Sequence, residues 1–147
     1  MTVVVALLAA GAATAATTPT QYRAKVNGIC RGYTPKLKAL SVTMAKAEKA
    51  KDGMALGVAL GKFLVYGLAQ DLQVESQPVP AAMRARMAPI LTLMKKIDTH
   101  VRAALRRALA KDGAGLSAEL TAISTLAKPL NAKLDAAGLR DCGSNQS

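Results

Sequence analysis

The sequence predicts an all-α protein, an up-down-up-down four-helix bundle with proline-kinked helices and one disulfide. Three observations carry that expectation. Apolar residues recur at steps of three and four over long stretches, alternating strand patterns are absent, and the chain is alanine-rich with 3% aromatics and no Trp.

Residues 1–16, MTVVVALLAAGAATAA, hold no charged side chain, and the apolar run over residues 3–10 passes into small residues with an A-x-A site at Ala13-Thr14-Ala15. That pattern predicts a signal peptide over residues 1–16, followed by a single helical-bundle domain over residues 17–147. A short hydrophobic first helix is the other reading, since the usual Lys or Arg near the start is missing. The run falls short of the ~20 apolar residues of a membrane span.

Thr18-Pro19-Thr20-Gln21 matches a capping box with proline in the first turn, so the first helix is expected to start there. Tyr22, Val26, Ile29, Tyr33, Leu37, Leu40 and Met44 then fall on one face. The phase survives Pro35, which argues for one kinked helix to about Ala50, although Thr34-Pro35 would also suit the cap of a separate piece. A second helix begins with Met54, Leu56, Leu60, Phe63, Leu64, Gly67 and Leu68 and fades near Val74. Its Gly57 and Gly61 form a GxxxG. Lys62 beside them would cost ~3 kcal/mol in hydrocarbon, which favours close helix packing inside a bundle over a membrane pair.

Gln77-Pro78-Val79-Pro80 reads as an extended connection. The third helix carries Met83, Met87, Ile90, Met94, Ile97, Val101 and Ala104 or Leu105, a sustained heptad crossed by Pro89. Ala110-Lys111-Asp112-Gly113 then repeats the earlier Ala50-Lys51-Asp52-Gly53. Two similar hairpins, a shared turn chemistry or chance would each account for it. Leu116, Leu120, Ile123, Leu126, Leu130 and Leu134 carry the fourth helix past Pro129, and Gly138-Leu139 reads as its stop signal.

Exactly two cysteines in an exported chain favour one bond, Cys30 to Cys142, over a reduced pair or a buried thiol at Cys30. In an up-down-up-down bundle the start of helix one and the end of helix four share an end. Cys30 lies roughly 17 Å along the first helix, a distance the tail after Leu139 covers in part by folding back.

These same residues carry a likeness. Tyr22, Asn27 and Cys30 at the start, and Ala137-Gly138-Leu139 through Cys142-Gly143 at the end, resemble small exported bacterial proteins of high-GC Gram-positive type with a Y-x4-N-x2-C start and an LGLxxCG end. Ala137 stands where leucine is more usual. The resemblance implies the fold, export and the disulfide, and implies no activity.

Lys and Arg number 20 against 9 Asp and Glu, a net charge of +11 with none of it in residues 1–16. Such an excess favours anionic partners. Arg84, Lys95, Arg102 and Arg106 fall within roughly 40° on a helical wheel and form the predicted anion-binding stripe, with Asp98 the one acid between Pro80 and Lys111. A solvated face that keeps an alanine-rich protein soluble is the plainer account.

Catalytic, cofactor and metal sites are not expected. The acids are scattered, His100 lacks a spaced partner, and two distant cysteines with one histidine make a poor zinc set. A haem bundle is disfavoured, because no C-x-x-C-H occurs and Met stripes at helical spacing are core. Without an aromatic platform among the basic residues, nucleic acid is not an expected partner. The sequence thus points to a secreted or envelope protein, non-enzymatic, that contacts anionic envelope polymer or lipid headgroups. The alternative is a protein-protein interaction module of the cell envelope that uses an apolar helix face.

Overall fold

The computed structural model describes residues 17–146, so the expected export signal over residues 1–16 lies outside the described residues. Helix α1 spans Pro19–Lys49, α2 Gly53–Glu75, α3 Arg84–Leu109 and α4 Gly113–Ala136, with a 3-10 turn at Ala81–Met83 leading into α3. The described residues are all-α, four helices closed by the Cys30–Cys142 disulfide.

Each boundary has a local cause. Thr18 Oγ1 accepts from the Gln21 amide at 3.2 Å while Gln21 Oε1 accepts from the Thr18 amide at 2.9 Å, the reciprocal box that the sequence advertises. Pro35, Pro89 and Pro129 all lie inside continuous helices. At the first of them, the Thr34 hydroxyl donates back to the Cys30 carbonyl at 2.9 Å. It does not cap forward, and α1 is therefore one helix.

The two Ala-Lys-Asp-Gly turns are the same structure twice. Lys51 and Lys111 both adopt a left-handed φ of 56°, Asp52 and Asp112 each accept from the amide three residues on at 2.9 Å, and each Asp amide donates back five residues, to Ala47 and Arg107. A helix end and the next helix start are thereby satisfied within four residues. The result is two hairpins, α1–α2 and α3–α4, which meet along a sparser α2–α3 seam.

Helix α3 is the centre of the core. Met87, Ile90, Met94, Ile97, Val101 and Ala104 are all buried, preceded by Met83, and they pack with Tyr22, Val26 and Cys30 of α1, Leu64 and Val74 of α2 and Leu130 and Leu134 of α4. The methionine stripe of α3 is core, as its spacing predicts.

Helix α2 departs from expectation. Among the described residues, a methyl group added at Gly57 or Gly61 meets no atom within 4 Å, so the GxxxG does not serve close packing between the described helices. Both neighbours of α2 lie on its other side, where Ala59, Leu64, Gln70 and Val74 are buried. Met54, which opens the apolar pattern of this helix, is 82% exposed. By length and composition α2 is apolar enough to cross a membrane, with Lys62 near its middle.

Candidate functional site

Three regions carry the residues singled out from the sequence. The first is a clasp between the start of α1 and the segment after α4. Helix α4 ends in a Schellman turn, in which the Leu139 amide donates to Leu134 and the Gly138 amide to Asp135, with Gly138 at φ +80°. The turn sends the chain back along α1. There Arg23 Nε donates to the Ala137 carbonyl at 2.9 Å, Asn27 Nδ2 donates to the Gly138 carbonyl at 3.0 Å, and Asn27 Oδ1 accepts from the Asp141 amide at 3.2 Å. Arg31 forms an ion pair with Asp141, and Cys30 reaches Cys142 with their Cα atoms 5.1 Å apart.

Asn27, Cys30, Gly138, Leu139, Cys142 and Gly143 all lie in or beside this clasp. Asn27 is the only residue type of its size that both donates and accepts to the returning backbone. Gly143 is buried, and an added Cβ would run into the Asp135 carboxylate and approach the Asn131 carbonyl oxygen to 3.0 Å. Leu139 and Ala137 are fully buried beneath the turn.

The second region is the outer face of α3. Arg84, Lys95, Arg102 and Arg106 are all exposed on one unbroken helix and span about 33 Å from first to last at 1.5 Å per residue. Among the described residues the ion pairs are Arg31–Asp141, His100–Glu119 and Arg107–Asp112, none of which engages the four. Arg86, Lys96 and Lys111 are exposed as well.

Asp98 interrupts this basic field in a way that a wheel does not reveal. It is 8% exposed, turned into the α2–α3 seam, and its carboxyl shares a hydrogen bond with that of Asp71 on α2, with Glu75 one turn further on. Burial, then the Asp98 charge, holds the Asp71 carboxyl well above the usual carboxylate range. Asp98 is raised chiefly by burial and by Glu75, with Arg102 one turn away pulling the other way. Asp98 Oδ1 and Glu75 Oε1 are buried without a hydrogen-bond partner.

Sequence reasoning passed over Asp71 and Glu75 because α2 fades there as an apolar pattern. The signal was present. Gln70 and Asp71 occupy the buried phase of α2, between Leu64 and Val74, and polar groups in an apolar phase are the informative kind. His100 was likewise read as an unpartnered flank residue. Its Nδ1 lies 2.7 Å from Glu119 Oε2 of α4, a pairing across the second hairpin that no spacing rule predicts.

The third region is interior. A cavity of about 210 Å³ lies between all four helices beside the disulfide, with Phe63, Met94, Ile97, Ile123 and Leu134 among its apolar walls and Gln70, Asp71 and Asn131 as its polar ones. No grouping of three or more His, Cys, Asp or Glu side chains among the described residues is placed to hold a metal ion. Neither a family model, nor a curated protein, nor a solved structure matches this chain.

Proposed function

We propose that the chain is an exported, non-enzymatic binding or accessory protein that contacts anionic envelope polymer or lipid headgroups through the α3 face. The observation that carries this reading is the set of four exposed cations, Arg84, Lys95, Arg102 and Arg106, aligned on one helix and outside the ion pairs of the described residues. A rigid row of charges meets several anionic groups at once without ordering a flexible segment first. The buried Cys30–Cys142 bond suits an oxidising, extracytoplasmic location.

The test is sedimentation with vesicles of phosphatidylglycerol and phosphatidylcholine. Binding at low salt is expected to fall progressively as screening rises past the ~8 Å Debye length of physiological ionic strength. Changing the four stripe residues to Gln is expected to remove binding, while the same change at exposed Lys25, Lys38, Lys46 and Lys49 removes equal net charge and leaves most of it. Equal loss in both variants refutes a special role for the stripe.

A second reading rests on its own observation. Met54, Val58, Gly61, Val65, Leu68 and Leu72 follow one another along α2 at steps of four and three, and Met54, Val58, Val65 and Leu72 are 47% to 82% exposed. Leu68, at the edge of this row, packs against the core, while the four exposed members form an apolar helix face turned outward. It suits a protein partner that offers an apolar helix, and such a contact would persist at high salt.

A further inference from the structure

The cavity between the helices is unlike a packing defect in two respects. Its walls are apolar side chains from every helix, yet one wall carries the Asp71 carboxyl, which belongs to a group of three carboxyls with Asp98 and Glu75. It is also accessible. Leu37, Phe63, Ala127 and Asn131 line both the cavity and an outer depression of about 360 Å³ that reaches Lys38 and Ser41 on the surface of α1. Helices α1 and α4 bound this mouth, and neither contributes an ionisable side chain to the inner wall.

We infer that this cavity is a binding site for a small apolar amine, whose ammonium group is held by Asp71 while its hydrocarbon body fills the space against Phe63, Met94, Ile97 and Leu134. Volume sets the size. A cavity of ~150 Å³ lined by apolar side chains holds a benzene ring, so the larger space here takes a ring bearing a short arm.

Charge sets the class. The ionisable groups that face Asp71 are Glu75 on its own helix and Asp98 on α3, and the one cation among them, Arg102, acts on Asp98. Three carboxyls against one guanidinium leave a local deficit of positive charge in a protein whose net charge is +11. Asp98 Oδ1, buried and without a partner beside Asp71, is a second acceptor left over at the same place. A largely buried carboxyl lacking a cation is costly when ionised, and a ligand ammonium supplies the missing partner. The amine must displace the proton that Asp71 otherwise retains, so its affinity rises with pH over the range in which Asp71 ionises.

The test is calorimetric titration of the oxidised protein with three probes of matched size: phenethylamine, 2-phenylethanol and 3-phenylpropanoate. At about pH 8 the amine is expected to bind most tightly and the carboxylate least, and the amine's affinity is expected to fall towards about pH 5 while the alcohol's stays level. Asp71→Asn is expected to weaken the amine by about tenfold to a hundredfold and to leave the alcohol unchanged. Gly67→Leu supplies the second variant. Gly67 lies on the cavity wall and an added Cβ there meets nothing within 4 Å, so leucine fills the space without disturbing the fold and removes both ligands. The inference is overturned by an alcohol that binds as tightly as the amine, by an Asp71→Asn protein that keeps full amine affinity, or by no binding of any probe. Preference for the carboxylate also overturns it, and would assign ligand selection to Lys38 at the mouth.

Discussion

Removing the Cys30–Cys142 bond is the most informative single perturbation. The bridge joins residues 112 apart, and the loop-closure relation for a loop of that size puts its constraint on the unfolded chain at roughly 4–5 kcal/mol. The polar clasp remains without it. Arg23 and Asn27 still bond to the returning backbone, and Arg31 still faces Asp141. At about 1 kcal/mol for each such bond, these contacts hold the tail in place but do not replace the covalent tie. Urea unfolding followed by helical circular dichroism is the assay, on oxidised protein, reduced protein and the Cys30→Ala/Cys142→Ala variant. With a denaturant slope near 1.5 kcal/mol/M, the midpoint of the reduced protein is expected about 3 M lower than that of the oxidised protein, with helix content in water unchanged. The alanine variant should fall slightly further, since it also removes two buried sulfurs next to the cavity. A loss under about 1 kcal/mol on reduction would refute the argument, because the unfolded chain would then not be held by the bond.

Three further outcomes are expected. Lys51→Gly and Lys111→Gly should each raise stability by up to about 1 kcal/mol in thermal melts, since both lysines occupy left-handed backbone, and the gains should add because the turns are separate. Stability should decline as pH rises from about 3, where Asp71 and Asp98 are protonated in both states, through the ordinary carboxylate value of 3.8 and on through their raised folded-state pKa values. Asp71→Asn should flatten that decline and stabilise the protein at neutral pH, whereas Asp141, whose pKa is lowered by Asn145 and Arg31, acts in the opposite sense and only in acid. Gly143→Ala should cost about 1–3 kcal/mol by urea titration, because the new methyl group meets the Asp135 carboxylate, which accepts from the Ser144 amide, and the fixed carbonyl of Asn131.

How much of this was legible beforehand depends on whether the cause is local. The cap at Thr18, the paired Lys-Asp turns and the stop at Gly138 are each settled within a few residues, and the structure has all of them where the sequence put them. The buried stripe of α3 was equally plain, since one face of a central helix must repeat with the helical period. Helix α2 was read less well. Apolar residues surround it, so periodicity alone does not say which side faces the core, and glycines suited to close packing turned out to face open space. The Asp71–Asp98 contact and the His100–Glu119 pair lie beyond any spacing rule, because each depends on how one helix docks against another.

The repeated turns also bear on the order in which the molecule assembles. Each hairpin closes through contacts only a few residues apart, at either Lys51 or Lys111, and therefore forms without reference to the other. The clasp is different in kind, because its partners are separated by the whole of both hairpins. Docking of both hairpins brings Cys30 and Cys142 to a Cα separation of 5.1 Å, whereas an undocked chain reaches that geometry only by closing a loop of more than a hundred residues. The assembled fold thus holds the two sulfurs at an effective concentration that a loose chain does not reach.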